Sequence, residues 1–161
     1  DIGAWVGTWT MAMNEFCGRV IAFEPDPVHY ECLVKNCPED VETHQLAVGN
    51  EEKMISLSED NFTQAKRVVG DGTIPMVTID SLDLDDVDLV KIDVEGFEME
   101  VLKGAENTLK NVDYLMIELN NNSKKYGSSN LEIEKHLRKT GFEIMIKVWP
   151  DVVWRKKGKS K

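Results

Sequence analysis

The sequence predicts an α/β protein built on a doubly wound, mostly parallel sheet. Four continuous apolar runs, typical of strands buried on both faces, alternate with stretches that carry helical punctuation. These runs are residues 19–24, 44–48, 87–93 and 114–120. A chain of 161 residues has room for one domain, and no internal repeat or low-complexity linker divides it. We therefore assign residues 1–154 to a single domain and residues 155–161 to a basic C-terminal tail.

Capping signals mark two of the helices between these runs. Asp26 and Pro27 place an N-cap acid before a first-turn proline, at the start of "VHYECLVKN". Ser129 and Glu132 have the spacing of a capping box for a helix over "LEIEKHLRKT". Gly141 is well placed to end that helix.

Two other segments predict antiparallel pairing. The runs 53–59 and 75–80 are expected to form the short strands of an inserted hairpin. Residues 142–149 alternate between apolar and polar side chains, and Pro150 and Asp151 then turn the chain into "VVWRKK". A terminal antiparallel pair on an otherwise parallel sheet is a common mixed form of the doubly wound fold.

Composition limits the classes of function. The net charge is −10, and because the tail holds five basic residues and no acid, residues 1–154 carry −15. Such a body repels phosphate backbones, so we expect no nucleic-acid partner. Cys17, Cys32 and Cys37 match neither a metal spacing nor a disulfide framework, which predicts reduced thiols. No apolar run approaches the roughly 18 residues of a membrane helix, so we expect no membrane association and a cytoplasmic location.

The opening segment "DIGAWVG" predicts a site for a small ligand. A strand end, a glycine turn and a helix N-terminus in that order bind ligands at the carboxyl edge of such a sheet. The spacing of Gly3 and Gly7 does not match the Gly-x-Gly-x-x-Gly of dinucleotide-binding proteins, and a carboxylate at Asp1 would repel a pyrophosphate. S-adenosylmethionine carries an ammonium and no phosphate, so it fits both features. Glu24, at the end of the next strand, stands where an acid binds ribose hydroxyls, although both ligands have a ribose.

A second group of acids follows the third apolar run. Asp93 ends this strand, and Glu95 and Gly96 follow it before a helix begins. Carboxylates at the carboxyl edge of a central parallel strand face the same crevice as the opening loop. Gly96 allows a sharp turn, and Gly104 is placed to end the helix. The two groups of residues therefore predict one shared site.

Several motifs together resemble the FkbM family of S-adenosylmethionine-dependent methyltransferases. They are "DIGAWVGTWT", "VIAFEPDPVHYECLVKN", "LAVGN", "VTIDSL", "DLVKIDVEGFEMEVLKGAENTL" and "MIELN". They occur in the family's order and cover most of the chain from residue 1 to about residue 145. The resemblance implies a Rossmann-like class I methyltransferase domain with S-adenosylmethionine as its cofactor.

The resemblance also implies roles for individual residues. Asp1, Gly3, Ala4 and Gly7 would form the loop on the methionine side of the cofactor, and Glu24 would bind the ribose. Adenosine contacts would come from Pro25, Asp26, Ala47 and Val48. Asp93 and Glu95 would lie near the transferred methyl group, and Glu118 would contact the substrate. Trp5 departs from the family, which often has a smaller polar residue there, so a direct polar role for that position is in doubt.

The function predicted from these residues is O-methylation of a hydroxyl on a small molecule or a glycan. A hydroxyl must lose its proton during the transfer, and a positioned carboxylate can accept it. Asp93 is the first choice for this base and Glu95 the second, although Glu95 could instead be a helix N-terminal acid that interacts with the macrodipole. We predict no required metal.

Two alternatives remain open from the sequence. One is a non-catalytic domain that binds S-adenosylmethionine. The other is a nicotinamide-dependent oxidoreductase, against which the missing glycine spacing counts. The oligomeric state is not predicted.

The start of the sequence carries one further expectation. In the resembling family, several apolar residues precede the position of Asp1 and form the central strand of the sheet. Here they are absent, so we interpret the chain as N-terminally truncated. We expect the central strand to be short or lost, which would leave its neighbours without a full pairing partner.

Overall fold

The computed structural model describes residues 1–58 and 66–158. Over these residues the chain forms four α-helices, nine β-strands and three short 3-10 turns. The helices are α1 (Thr8–Asn14), α2 (Pro27–Asn36), α3 (Glu98–Lys103) and α4 (Asn130–Lys139). The strands are β1 (Ile21–Phe23), β2 (Glu42–His44), β3 (Ala47–Val48), β4 (Lys53–Ile55), β5 (Ile74–Val77), β6 (Leu89–Ile92), β7 (Tyr114–Glu118), β8 (Phe142–Val148) and β9 (Asp151–Lys156).

The central sheet is parallel in its middle, as predicted. Strand β1 pairs in parallel with β2, and β6 pairs in parallel with β7. Ile2 lies between these two pairs and forms one parallel bridge to Phe23 and another to Ile92. Asp1, Gly3 and Ala4 form backbone hydrogen bonds with β1, and Ile2 forms them with Lys91 and Asp93 on the β6 side. The expectation of a short central strand is confirmed. Beside it lies a groove of about 550 Å³ lined by residues of both neighbouring strands.

The terminal antiparallel pair is also confirmed, and its order in the sheet is now defined. Strand β9 pairs antiparallel with both β7 and β8, so the order is β6-β7-β9-β8. Strand β9 continues to Lys156, two residues into the segment predicted as a tail. The Lys156 ammonium donates to the carbonyl oxygens of Leu109 and Thr140 at 2.7 and 2.9 Å, which holds this end of the strand against the fold. Residues 159–161 lie outside the described part of the chain.

The run 44–48, predicted as one strand, is divided between two sheets. Its first residue ends β2 in the central sheet, and Ala47 and Val48 form β3 in a separate three-stranded sheet of order β3-β5-β4. Strands β4 and β5 pair antiparallel, which confirms the inserted hairpin. The apolar pattern did not show the break, because both short strands are partly or fully buried. Glu59, at the end of the predicted strand 53–59, lies outside the described residues.

The predicted helix caps are present. The Asp26 carboxylate accepts hydrogen bonds from the backbone amides of Val28 and His29, both at 3.0 Å. The Ser129 hydroxyl accepts from the Glu132 amide and donates to the Glu132 carboxylate. Gly104 follows the last residue of α3, as expected for a helix end. These local signals fix where the helices begin relative to the strand ends that carry the site.

One main core holds the two halves of the central sheet together. It joins side chains from Ile2 and from strands β1, β6, β7 and β9 with side chains from α3 and α4. Its largest fully buried members are Trp154, Phe142, Ile92, Leu102, Leu115, Ile117, Leu119, Ile133 and Leu137. Burying a side chain of this size stabilises the fold by about 1.5–3 kcal/mol. No described helix is long and apolar enough to cross a membrane.

Gly104 lets α3 end in direct contact with the loop after β3. A Cβ atom at this position would lie 1.9 Å from the Gly49 carbonyl oxygen. We expect Gly104→Ala to lower the free energy of unfolding by at least about 2 kcal/mol, because backbone atoms must move to relieve the overlap. Chemical denaturation measures this. Gly18→Ala is the matched control, since a Cβ there meets nothing within 4 Å, and equal effects of the two substitutions would contradict the steric explanation.

Candidate active site

The opening loop packs so closely against the end of β6 that there is no room for a side chain at Gly3. Gly3 has a φ of +77°, and a Cβ atom there would lie 1.8 Å from the Asp93 carbonyl oxygen. Gly7, with a φ of +93°, is the N-cap of α1. Trp5 between them also has a positive φ of 50°, a conformation that costs energy for a residue with a side chain and is concentrated at functional sites. The loop is therefore a tight turn at the carboxyl edge of the sheet.

Glu24 lies at the end of β1, where its side chain connects the opening loop to the segment before α2. Its buried carboxylate accepts hydrogen bonds from the Trp5 amide at 2.8 Å and the Asp26 amide at 2.9 Å. The His29 ring nitrogen Nδ1 lies 3.7 Å from the same carboxylate. Burial raises the pKa of Glu24 to about 7, although the two amide hydrogen bonds oppose this rise. The side chain thus links the opening loop to the start of α2.

Asp26 serves the fold as well as the site. It caps α2, and its carboxylate forms an ion pair with the Lys66 ammonium. Burial alone would raise the pKa of Asp26, but hydrogen bonds from Lys66 and from the His29 amide hold it below its ordinary value. Asp26 thus holds α2 and Lys66 in place beside the site, and its contact with adenosine stays a prediction.

Three carboxylates meet at the other end of the site. Asp93, Glu95 and Glu118 each offer an oxygen, and these oxygens all lie within 4.8 Å of one another. The Asn120 amide nitrogen donates to Glu118 at 2.7 Å and to Glu95 at 3.2 Å, and the Asn122 amide nitrogen donates to Glu95 at 2.9 Å. Oxygen atoms at this spacing could also hold a divalent cation, but acidic groups commonly cluster without one, and no metal is proposed.

The Asp93 and Glu118 carboxyls behave as a pair. Burial, followed by the negative charge of Asp93 and a hydrogen bond with it, raises the pKa of Glu118 to about 8. Glu95 and Asp151 add to this rise. Glu118 therefore tends to keep its proton at neutral pH, next to the Asp93 carboxyl with which it forms a hydrogen bond.

One cavity brings the two groups of predicted residues together. Glu24 and Pro25 line one part of it, and Asp93 and Glu95 line another. Of the other predicted site residues, Gly3, Ala47 and Val48 also line it. The walls further include residues that the sequence analysis did not select: Trp5, His29, Leu46, Leu57, Lys66, Val68, Val94 and Phe97. The cavity therefore combines an apolar wall, a carboxylate suited to a diol and an acidic end.

Five predicted residues do not line this cavity: Asp1, Ala4, Gly7, Asp26 and Glu118. The Asp1 side chain is fully buried, 3.2 Å from the Lys91 ammonium, and accepts a hydrogen bond from the Thr10 hydroxyl at 2.7 Å. Lys91 already neutralises the Asp1 carboxylate, so Asp1 does not present the free negative charge that was expected to attract a ligand's ammonium. The structure gives Asp1 a supporting position beneath the loop, and direct cofactor contact by Asp1 stays a prediction.

Two buried charged residues near the site were missed. Lys91 interrupts the apolar run of β6, and Glu98 accepts a hydrogen bond from the Gly96 amide at 2.8 Å at the start of α3. Burial raises the pKa of Glu98. A charge inside an otherwise apolar strand is a signal that could have identified Lys91, since such a residue is retained only where it is paired or functional. Glu98 had no such signal, because a helix N-terminus commonly carries an exposed acid.

The fold and the site together define a Rossmann-like class I methyltransferase domain. A family model described as "Methyltransferase FkbM domain" matches residues 1–144. The chain therefore belongs to the FkbM methyltransferase family. The family predicted from the sequence is confirmed, and S-adenosylmethionine as its cofactor is part of the proposal below.

Individual relatives agree with this assignment. The hexuronic acid methyltransferase AglP of Haloferax volcanii is 30% identical over 130 residues, an alignment that covers 74% of this chain and 54% of AglP. The crystal structure of an FkbM methyltransferase from Methylobacillus flagellatus KT has a TM-score of 0.67 at 19% identity and covers 96% of this chain and 42% of that one. The structure of LepI in complex with S-adenosylmethionine has a TM-score of 0.50 at 12% identity, covering 98% and 42%. The chain spans about half the length of AglP and less than half of these two solved chains.

Proposed function

We propose that this domain transfers a methyl group from S-adenosylmethionine to a hydroxyl of a small molecule or a glycan. The observation that supports this most directly is the single cavity that has Glu24 in one part and Asp93 and Glu95 in another. When bound, S-adenosylmethionine supplies a methyl group made electrophilic by its sulfonium. In this proposal, the part of the cavity that contains Glu24 binds the ribose, and the part that contains Asp93 and Glu95 holds the acceptor.

The residues of the cavity fit the parts of this cofactor. The ionised Glu24 carboxylate can accept hydrogen bonds from both hydroxyls of a ribose. Ala47, Val48 and Phe97 provide apolar surface for a purine. The opening loop lines the site at Gly3, where a Cβ atom would overlap the Asp93 backbone.

The acidic end favours a hydroxyl over a carboxylate as the acceptor. The carboxylates of Asp93 and Glu95 would repel a second negative group at close range. A carboxylate acceptor would also have no proton to lose, so the Asp93 and Glu118 pair would serve no purpose in its methylation. With a hydroxyl, the acceptor oxygen gains the methyl group and Asp93 takes the proton released.

The glycan class is proposed because of AglP, whose name states that it acts on a hexuronic acid. The test incubates the protein with S-adenosylmethionine carrying an isotopically labelled methyl group and with oligosaccharides that contain either uronic acids or neutral sugars. We expect label in the sugar, as an ether that survives mild alkali. Label that mild alkali releases would indicate a methyl ester and contradict hydroxyl methylation.

The same experiment addresses the non-catalytic alternative. Calorimetry first measures S-adenosylmethionine binding, and NADH serves as the competing ligand. Binding without transfer to any acceptor would favour a non-catalytic domain, whereas binding of NADH alone would contradict the methyltransferase proposal.

A further inference from the structure

Lys91 is the buried cation between the two groups of site residues. It lies on β6 between Val90 and Ile92, and only 4% of its side chain is exposed. A lone ammonium at such a position would cost several kcal/mol, so its partners determine why it is tolerated. Those partners come from both motifs that the sequence analysis singled out.

The Lys91 ammonium has three neighbours within 3.5 Å. It donates a hydrogen bond to the Gly3 carbonyl oxygen at 3.0 Å. The Asp1 carboxylate oxygen Oδ1 lies 3.2 Å away and the Asp93 carboxylate oxygen Oδ2 lies 3.5 Å away. Oδ1 of Asp1 is buried and has no hydrogen-bond partner among the described residues, so its charge is balanced through Lys91.

From this geometry we propose that Lys91 is the positioning residue of the methyl-transfer site. Its ammonium joins the cofactor loop, through Asp1 and Gly3, to the Asp93 carboxylate. It thereby sets the spacing between the loop and the base and places a positive charge beside the Asp93 carboxylate. This inference rests on the proposed function and assigns no contact between Lys91 and a ligand, because Lys91 does not line the cavity.

The charges around Lys91 explain why a cation is needed there. Asp1, Asp93, Glu118 and Asp151 all lie near it. The α-amino group of Asp1 is also close, but burial, followed by the charge of Lys91, lowers its pKa to about 5, so it is uncharged at neutral pH. Without Lys91, Asp93 would have two acidic neighbours, Glu118 and Glu95, and no opposing charge within reach. Removal of the Lys91 charge would therefore favour binding of a proton to Asp93 more than in the wild type, which opposes its use as a base.

Carbon-13 NMR titration of aspartate carboxyls tests this without any acceptor. The Asp93 signal, assigned by its loss in Asp93→Asn, is followed in the wild type, Lys91→Met and Lys91→Arg. We expect Lys91→Met to move the Asp93 midpoint upward by about one pH unit or more, and Lys91→Arg to restore most of it. Calorimetry is expected to show about tenfold weaker S-adenosylmethionine binding in Lys91→Met. Lys103→Met is the control, because this exposed lysine on α3 pairs with Glu100 and is not among the partners of Asp1 or Asp93 in the described part of the chain.

The outcomes separate this inference from the proposed function. If the wild type binds S-adenosylmethionine but Lys91→Met leaves both the Asp93 midpoint and the affinity unchanged, Lys91 is not a positioning residue and the proposed function stands. If the wild type binds no S-adenosylmethionine, the proposed function and with it this inference are overturned, whatever the Asp93 midpoint.

A folding defect in Lys91→Met would also be informative. Lys91→Met leaves the Asp1 and Asp93 carboxylates without their counter-charge. The double variants Lys91→Met/Asp1→Asn and Lys91→Met/Asp93→Asn each remove one of these charges, so we expect each to be more stable than Lys91→Met alone. Equal instability of the single and double variants would show that Lys91 acts through packing and would overturn the inference.

Discussion

Replacing Glu24 with alanine is expected to weaken S-adenosylmethionine binding by about 100-fold. The buried carboxylate is placed to accept hydrogen bonds from the ribose diol, and hydrogen bonds to a charged group contribute about 1.5–3 kcal/mol each. The substitution also removes the acceptor that holds the Trp5 and Asp26 amides. Isothermal calorimetry measures the affinity. Glu31→Ala is the control, because this acid lies exposed on α2, and a similar loss in both variants would contradict a ribose contact by Glu24.

The pH dependence of binding tests the same residue. Burial raises the pKa of Glu24 from 4.5 to about 7, and a ribose diol donates best to the ionised carboxylate. Affinity is therefore expected to increase as the pH rises through about 7. His29, Asp26 and Lys91 also lie near this carboxylate, so Glu24→Gln is measured in parallel. A dependence that persists unchanged in Glu24→Gln would assign it to one of these neighbours.

Stability of the ligand-free protein should change with the opposite sign. An acid with a raised pKa in the folded state holds its proton after the unfolded chain has released it. Between pH 4.5 and about 7, Glu24 therefore makes the fold less stable as the pH rises. The full effect is on the order of 3 kcal/mol. Thermal melts of the wild type and Glu24→Gln measure it, and parallel slopes over this range would contradict the assignment.

Asp93→Asn is expected to lower kcat by at least 100-fold while leaving S-adenosylmethionine affinity within about threefold. General-base catalysis contributes 10²–10⁴ to rates, and an amide cannot accept the hydroxyl proton. The measurement uses the acceptor found in the isotope assay, at saturating cofactor. Asp71→Asn, an exposed position, controls for nonspecific effects. A fall in affinity with no fall in kcat would show that Asp93 binds the cofactor and is not the base.

Glu118 should determine the shape of the pH profile. Its pKa of about 8 results from burial and from Asp93, so the pair loses its shared proton near that pH and becomes a stronger base. The rate is therefore expected to rise further as the pH passes about 8. In Glu118→Gln this step should disappear. If it stays, the step belongs to another group.

A substitution at Glu95 distinguishes between the two candidate bases, Asp93 and Glu95. Its carboxylate is already held by the amides of Asn120 and Asn122, and it has a positive φ of 55° at the turn before α3. These contacts favour a positioning role, so Glu95→Gln is expected to lower kcat less than tenfold. A loss equal to that of Asp93→Asn would make Glu95 the base.

Local signals were sufficient for most of the fold and part of the site. The buried apolar runs, the caps at Asp26 and Ser129, and the alternation after Gly141 each depend on neighbours in the sequence, so they could be interpreted directly. The same holds for Glu24 and Asp93, because a strand end in a parallel sheet faces the crevice whatever its partners are. The division of residues 44–48 between two sheets could not be predicted, since it depends on which distant strand each half meets.

The sequence by itself determined the class of this protein: its glycine turn, its strand-end acids and their order along the chain define a methyltransferase domain of the FkbM family. Only the tertiary structure showed that Asp1 pairs with Lys91, that Glu118 lies beside Asp93, and that Lys91 contacts both groups of site residues. The reason is physical. Residue types and spacing specify local conformation, whereas ion pairing and pKa values depend on distances between residues such as Gly3 and Lys91, which lie far apart in the chain and are brought to 3.0 Å by folding.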